Sequence, residues 1–525
     1  MKKYIFFILI SINIYSQDIQ NTQSSDSLAK IVNLDEVTVN SVRARDNSPV
    51  PFVNISKKDL EKTNLAQDIP TLLKNTPSVI TTSFPGAGIG YSSIRVRGSD
   101  PSRVNVTING VPYNDSESMG VYWVNLPDFA SSVESIQIQR GVGTSTNGSA
   151  AFGGSLNIQT NAASDIATFE INNTLGSFST IKNSVGFSTG FINDKFELSG
   201  RLSRIKSGGY IDRSGSKLRS YFLQAVYKDS NTLLKLLNFA GHELTDQAWF
   251  GIDASTLESN RKYNPAGEYY DKNGDIKYYN NQDEDYKQDH YQIHWNQSYK
   301  NGWISNFGLH YTYGRGYYES YNVAYDTNLS DNIDRRWLDN NFYGLIFSLN
   351  DKSDDYNAII GGSYNKYEGQ HFGEYLWYAD SNKLNNYKEK FYDDYGNKSE
   401  FNFYAKLDYY LSQKLLIYGD IQYRKINYNA SITPYSVILG YVEQGFDKID
   451  KKFNFFNPKI GLFYNKGEDN QLYISYARAQ REPTRADYAN GSPNPEKLDD
   501  FELGWRRTFS SCLLYTSDAA DDIPG

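Results

Sequence analysis

The sequence predicts an all-β, antiparallel transmembrane barrel preceded by a compact N-terminal domain, and three observations carry that prediction. The 525 residues include 44 Tyr, 28 Phe and 7 Trp, yet the mean hydropathy is -0.60, a combination foreign to ordinary soluble enzymes. Beyond the N-terminus no apolar stretch reaches the roughly 18 residues that a spanning helix needs, which excludes a helical membrane bundle. From about residue 167 to residue 509 apolar and polar residues alternate in short runs, with tight turns at one end of the hairpins and long polar loops at the other.

The elements follow in chain order. Lys2 and Lys3 precede an apolar stretch from Tyr4 to Ile12, and Ser16 stands before Gln17, so residues 1–16 read as a secretory signal. Residues 17–33 are rich in Ser, Asn and Gln and read as a disordered lead. From Leu34 to about Thr160 the chain is compact and punctuated by Gly, with β-branched runs at Val104 to Ile108 and Ile136 to Ile138. The formal charge of -8, from 53 basic and 61 acidic residues, offers nothing to a nucleic acid, and a single Cys excludes a disulfide scaffold.

The alternation fixes faces and registers. Val185, Phe187 and Phe191 oppose Ser184, Ser188 and Gly190; after a turn at Asn193 and Asp194, Phe196, Leu198 and Leu202 alternate with Glu197, Ser199 and Arg201. A loop of Lys300 to Gly302 places Trp295 opposite Phe307 and Ile293 opposite Leu309, so the apolar faces agree, whereas a one-residue slip would pair His294 with Leu309. Long polar loops are expected at Gly241 to Gln288, Gly314 to Asn340, Gln370 to Lys398, Asn429 to Lys451 and Arg481 to Leu498. Lipid satisfies no backbone hydrogen bonds, so such strands must pair along their whole length, with apolar faces toward lipid. Strands of about ten residues, about 14 in number, fill residues 165–510, and the last, Asp500 to Phe509, lacks a closing partner. From Cys512 the chain reads CLLYTSDAAD, which resembles a translated sequencing adapter, so residues 511–525 read as a non-native tail on a truncated product.

Several stretches resemble TonB-dependent outer-membrane receptors. LDEVTVN, residues Leu34, Asp35, Glu36, Val37, Thr38, Val39 and Asn40, is similar to the family's TonB box. IRVRGSDPSRVNVTINGVP at Ile94 to Pro112, VESIQIQRGVG at Val133 to Gly143 and GSAAFGGSLNIQT at Gly148 to Thr160 resemble successive plug blocks. Asn109 stands where an acidic residue is usual and Val142 where Pro is usual. NPKIGLFYN at Asn457 to Asn465, YARAQREPTRADY at Tyr476 to Tyr488 and NPEKLDDFELGW at Asn494 to Trp505 resemble the family's barrel.

The resemblance implies an α+β plug domain over residues 41–162 and a partial barrel with about 14 of 22 strands. It implies a receptor in the outer membrane of a Gram-negative cell that takes up a scarce solute, with no cofactor and no catalysis. The partners implied are TonB with its inner-membrane proton-driven motor, outer-membrane lipid, and a small-molecule or metal-chelate ligand. A ferric siderophore or related iron chelate comes first, with cobalamin and small oligosaccharides behind. Val37 to Val39, β-prone and tethered by a polar lead, suits strand addition to a partner sheet.

Ligand contacts are expected from plug tips at Phe84, Tyr91, Tyr113, Tyr122 and Trp123, where Gly, Pro and aromatic residues fall between plug blocks. By resemblance Arg97 and Arg140, each preceding a plug Gly, pair with barrel carboxylates, and the alternation turns Glu502 into the lumen. A bidentate, desolvated pair of Glu502 with one of them is therefore expected.

Other chemistry in the sequence reads as incidental. GFSTG at Gly186 to Gly190 matches a nucleophile pattern, but Ser188 lies in an alternating strand without the strained turn that exposes such a Ser. A hydrolase using Ser188 and a passive porin are the alternatives, and the plug blocks weigh against both. His290, His294 and His310 share a lumen face without an acidic partner, which reads as polar filling. Asp271, Asn273 and Asp275 alternate as calcium ligands do, but Gly274 and Gln282 break the pattern, leaving a hairpin tip. GAGIG at Gly86 to Gly90 lacks dinucleotide spacing and reads as a flexible plug loop.

Overall fold

The computed structural model describes residues 43–45, 47–144, 151–324, 330–380, 387–434, 447–467, 470–491 and 493–507. The signal, the lead, the segment Leu34 to Asn40 and the tail from residue 511 lie outside the described residues.

The N-terminal domain holds β1 (Phe52–Ser56), β2 (Val79–Ser83), β3 (Ser92–Val96), β4 (Val104–Ile108), β5 (Val111–Pro112), β6 (Val133–Arg140) and β7 (Gly154–Thr160). Five of them form a sheet ordered β1-β6-β7-β4-β5, in which β4 and β7 are parallel, while β2 and β3 make a separate hairpin. Short helices at Lys57–Glu61 and Ile69–Leu72 complete the α+β plug, the first capped by the Ser56 hydroxyl. β4, β6 and β7 are covered on both faces, one carrying the fully buried Val106, Ile136, Ile138 and Leu156 and the other the buried polar Thr107, Gln137, Gln139 and Ser155.

The wall begins with β8 (Ala167–Gly176), β9 (Thr180–Thr189), β10 (Phe196–Ser207), β11 (Ser216–Lys228) and β12 (Thr232–Asp246). A small hairpin of β13 (Glu268–Tyr270) and β14 (Ile276–Tyr278) stands apart, with its turn at Asp271 to Asp275. The wall resumes with β15 (Asp283–Ser298), β16 (Ile304–Asn322), β17 (Asn332–Lys352), β18 (Tyr356–Tyr378), β19 (Glu389–Ser412), β20 (Leu415–Ile432), β21 (Asp447–Gly467), β22 (Asn470–Arg481) and β23 (Glu496–Arg507). These 14 strands form one antiparallel sheet in sequence order, and among the described residues no ladder joins the edges β8 and β23. Ile293 faces Leu309 and Trp295 faces Phe307, the register that the alternation demands. No helix among the described residues is long and apolar enough to cross a membrane.

Two expectations need correction. Strands run to 24 residues, well past ten, and the segments expected as loops contain the continuation of their flanking strands. On β16 the outward residues Phe307, Leu309 and Tyr311 give way to Arg315, which pairs outward with Asp339 at 2.9 Å, so the lipid-facing band ends there while the ladder continues to Asn322. Above the lipid both faces meet water or plug, so apolar alternation no longer marks a strand. The GAGIG loop packs closely against the wall. A Cβ on Gly90, whose φ is +100°, would lie 2.6 Å from the Ser216 hydroxyl of the wall.

Plug and wall share a core. Trp123 and Phe129 pack in one cluster with Phe222, Leu237 and Phe239 of β11 and β12. The approach is close at Gly241, where a Cβ would come within 2.0 Å of the Asn125 carbonyl.

Candidate functional site

A cavity of about 820 Å³ opens above the plug. Plug residues Tyr91, Tyr113, Glu117 and Tyr122 form its floor, the wall strands contribute Tyr286, Tyr318, Arg336, Trp337 and His371, and the segment after β12 contributes Trp249. The rings interlock: Tyr91 meets Trp249 edge-on at 5.1 Å, and Trp249 meets Tyr318 at 6.3 Å. Aromatic faces offer rigid contact area at low entropic cost, which suits capture of a bulky solute. Tyr122 is 46% exposed into this space.

The remaining plug tips differ from expectation. Trp123 is 2% exposed and belongs to the plug–wall core, because the one-residue step from Tyr122 turns its ring away from the cavity. Phe84 is exposed but lies outside the cavity lining; its backbone N–H bonds the Tyr91 carbonyl across the β2–β3 hairpin.

A polar hub holds the floor. Glu117 accepts from His371 Nε2 at 2.7 Å, from the Tyr428 hydroxyl at 2.6 Å and from Arg485 Nη1 at 3.2 Å. Arg485 also reaches Asp394 at 3.1 Å, and its backbone N–H donates to the Glu117 carbonyl. Burial alone would raise the Glu117 pKa; His371, Arg485 and Tyr428 outweigh it and hold the carboxyl at about 2. Arg485 starts the helix Arg485–Ala489, which is fixed by a capping box of Thr484 and Asp487. Beside this hub Lys398 Nζ donates to the Ser116 carbonyl at 2.7 Å and pairs with Glu482, which also meets the buried Arg424.

Lower on the wall, ion pairs seat the plug. Arg97, in left-handed backbone at φ 51°, donates from Nη1 to Glu502 Oε1. Gly141 leaves the room, since a Cβ there would lie 3.0 Å from Glu502 Oε1 and 3.1 Å from Arg97 Nη1. That contact runs through one guanidinium nitrogen, and among the described residues no hydrogen bond joins Arg140 to Glu502. Burial, then the like charge of Arg97, depresses the Arg140 pKa.

The two-pronged geometry belongs instead to Arg103, whose Nε and Nη2 meet Glu496 at 3.1 and 2.5 Å. Asp128 receives Arg201 at 3.1 Å and also Lys182, all three side chains nearly or fully buried. The sequence held one sign of this last cluster. The alternation points Lys182 inward with Ser184, where a charge needs a partner.

The incidental motifs find local partners. The Ser188 hydroxyl donates to Glu197 at 2.7 Å. His290 meets Thr312 and stacks on Phe239, His294 meets Gln292 at 3.0 Å, and His310 meets Asn365 at 2.9 Å. Among the described residues no group of three or more His, Cys, Asp or Glu is arranged to hold a metal ion.

Known proteins share both the sequence and the fold. The description "TonB-dependent Receptor Plug Domain" matches residues 44–155, and "TonB dependent receptor-like, beta-barrel" matches residues 254–519. The vitamin B12 transporter BtuB of Vibrio vulnificus is 30% identical over 193 residues, 36% of this chain and 29% of that protein. The probable TonB-dependent siderophore receptor PirA of Acinetobacter baumannii is 32% identical over 116 residues, 20% of this chain and 15% of its own. The chain thus spans 29% or less of these curated relatives.

Solved structures share the fold at low identity. The copper transporter OprC aligns with a TM-score of 0.69 at 13% identity, covering 89% of this chain and 72% of its own. The unliganded ferric citrate transporter FecA gives 0.68 at 14%, with 88% and 68% covered. The alcaligin receptor FauA of Bordetella pertussis gives 0.61 at 13%, again with 88% and 68% covered.

The plug match and the barrel match fall on the two domains in their observed order, and the barrel match alone takes in half of the 525 residues. With a seated plug and an antiparallel wall that presents apolar rings outward, the chain belongs to the TonB-dependent receptors, a family of outer-membrane transport proteins and not of enzymes.

Proposed function

We propose that the protein captures a scarce solute in the cavity above the plug and imports it through the wall's lumen with energy delivered by TonB and its inner-membrane motor. The observation that carries this reading is the cavity itself: its floor is plug, its sides are wall, and its lining is aromatic, so a bound solute touches the part that must move. A ferric siderophore or related iron chelate is the first candidate for that solute. The family includes a probable siderophore receptor and, among structures of like fold, receptors for alcaligin and ferric citrate. Cobalamin is second, since vitamin B12 transporters share the sequence.

Residues Leu34 to Asn40 serve as the handle in this reading, and the test is made there. Val37→Pro or Val39→Pro removes a ladder donor and fixes φ, so uptake should be abolished while surface binding persists. Uptake at the wild-type rate in both variants overturns the assignment. For the ligand, quenching of Trp fluorescence by ferric citrate, a ferric hydroxamate and cyanocobalamin separates the candidates, because Trp249 and Trp337 line the cavity. Saturable quenching by cyanocobalamin alone overturns the iron-chelate assignment.

A further inference from the structure

Beneath the cavity floor lies a second, smaller pocket, between the plug and the inner faces of β15 to β19. Asn105, Asn114, Asn296, Asn306, Asn365 and Asn402 are among the residues that line it. These amides can donate and accept, so a hydrated solute can exchange water for protein partners there, beside Asp115, Lys398 and Glu400, which line the same space. Asn402 Oδ1 is buried and has no hydrogen-bond partner in the structure.

One plug loop stands between the two spaces. Asp115 borders both, Ser116 borders the inner pocket, and Glu117 and Ser118 border the outer cavity. The loop carries its own bonds: Asp115 N–H to the Gly120 carbonyl, Met119 N–H to the Asp115 carbonyl, and the Ser118 N–H to Asp115 Oδ1 at 2.7 Å. It can therefore move as a folded unit. What fixes it to the wall is a separate set: Lys398 on the Ser116 carbonyl, the Arg485 backbone N–H on the Glu117 carbonyl, and the hub of His371, Tyr428 and Arg485 side chains on the Glu117 carboxylate.

We propose that the loop from Asp115 to Gly120 is a gate between the outer cavity and the amide-lined pocket, and that Glu117 is its latch. The assignment rests on the uptake reading above, and it adds a route: solute leaves the cavity along the β15–β19 side of the plug. His371 and Arg485 line the outer cavity, so an occupant there can compete with Glu117 for them. Breaking the hub leaves two backbone carbonyl contacts, Ser116 with Lys398 and Glu117 with the Arg485 N–H, to hold the loop, and it leaves the loop's internal bonds intact.

The test uses cysteine accessibility in the full chain with Cys512→Ser. Ser363→Cys, on the inner pocket, reports the gate; Ser203→Cys, on β10 facing the plug away from it, reports displacement of the whole plug. A small charged methanethiosulfonate added to intact cells should label Ser363→Cys slowly, and Glu117→Ala should raise that rate at least tenfold while Ser203→Cys stays slow. An unchanged rate at Ser363→Cys overturns the gate, and so does an equal rise at Ser203→Cys, which would mean that the plug leaves as one body. Should Glu117→Ala fail to assemble, His371→Gln with Tyr428→Phe is the second variant, read by the same two outcomes. The labelling needs neither solute nor motor, so loss of import and loss of gating are separate results.

Discussion

Asp128 of the plug and Arg201 of β10 meet at 3.1 Å, with the Asp128 side chain wholly out of solvent and Lys182 on its other oxygen. Two wall cations thus depend on one plug anion. Asp128→Asn should cost about 3–5 kcal/mol by leaving buried charge unbalanced, read as a lower urea midpoint for plug unfolding. Burial would raise the Asp128 pKa, but Arg201 and then Lys182 hold it below the ordinary carboxylate range. A depressed folded pKa contributes stability above the unfolded value of about 3.9 that is lost as pH falls further, so the difference between wild type and variant should shrink in acid.

Asp68 carries the opposite sign. It lies buried beside the Ser92 hydroxyl at 2.9 Å, and burial pushes its carboxyl up to about 8. A raised folded pKa means full stability below the unfolded value of about 3.9, lost progressively as pH rises toward the folded one, by about 1.4 kcal/mol per pH unit. Asp68→Asn should therefore raise the urea midpoint at pH 8 and leave it unchanged near pH 4.

Tyr122 and Trp123 are neighbours with separate duties. Tyr122→Ala should weaken binding of a ferric-chelate probe about five- to tenfold at unchanged stability, because it removes one cavity face. Trp123→Ala should lower plug stability by about 3–5 kcal/mol, since it empties part of the shared core. Titration of the probe alongside urea unfolding checks both.

Arg97 and Glu502 form a pair whose cost is one-sided. Arg97→Gln leaves the Glu502 carboxylate buried without its partner and should destabilise the seated plug by about 3–5 kcal/mol. Adding Glu502→Gln should recover most of that loss. A double-mutant cycle on plug unfolding gives the coupling directly.

The wall was legible where lipid imposes a rule. Ile293, Trp295, Phe307 and Leu309 must share one face, and a one-residue slip would reverse them, so the register followed from the residues. The upper strands obey no such rule. Tyr317 faces Trp337 across β16 and β17 in a stretch whose composition resembles a loop, because water accepts either face. Tyr122 was legible from its place between plug blocks. Glu117 was not: its partners His371, Tyr428 and Arg485 lie 254, 311 and 368 positions away, and no spacing carries that information.

The length of β18 and β19 has a consequence for capture. Their 23 and 24 residues extend about 75 Å along the strand, against a lipid-facing band about 25 Å tall. A solute on its way to the cavity therefore passes a standing palisade of hydrogen-bonded backbone. Such a rampart has little conformational freedom to lose, so the toll for ordering the mouth of the receptor was met when the protein folded, and association speed should depend on the width of that mouth more than on the motion of its rim.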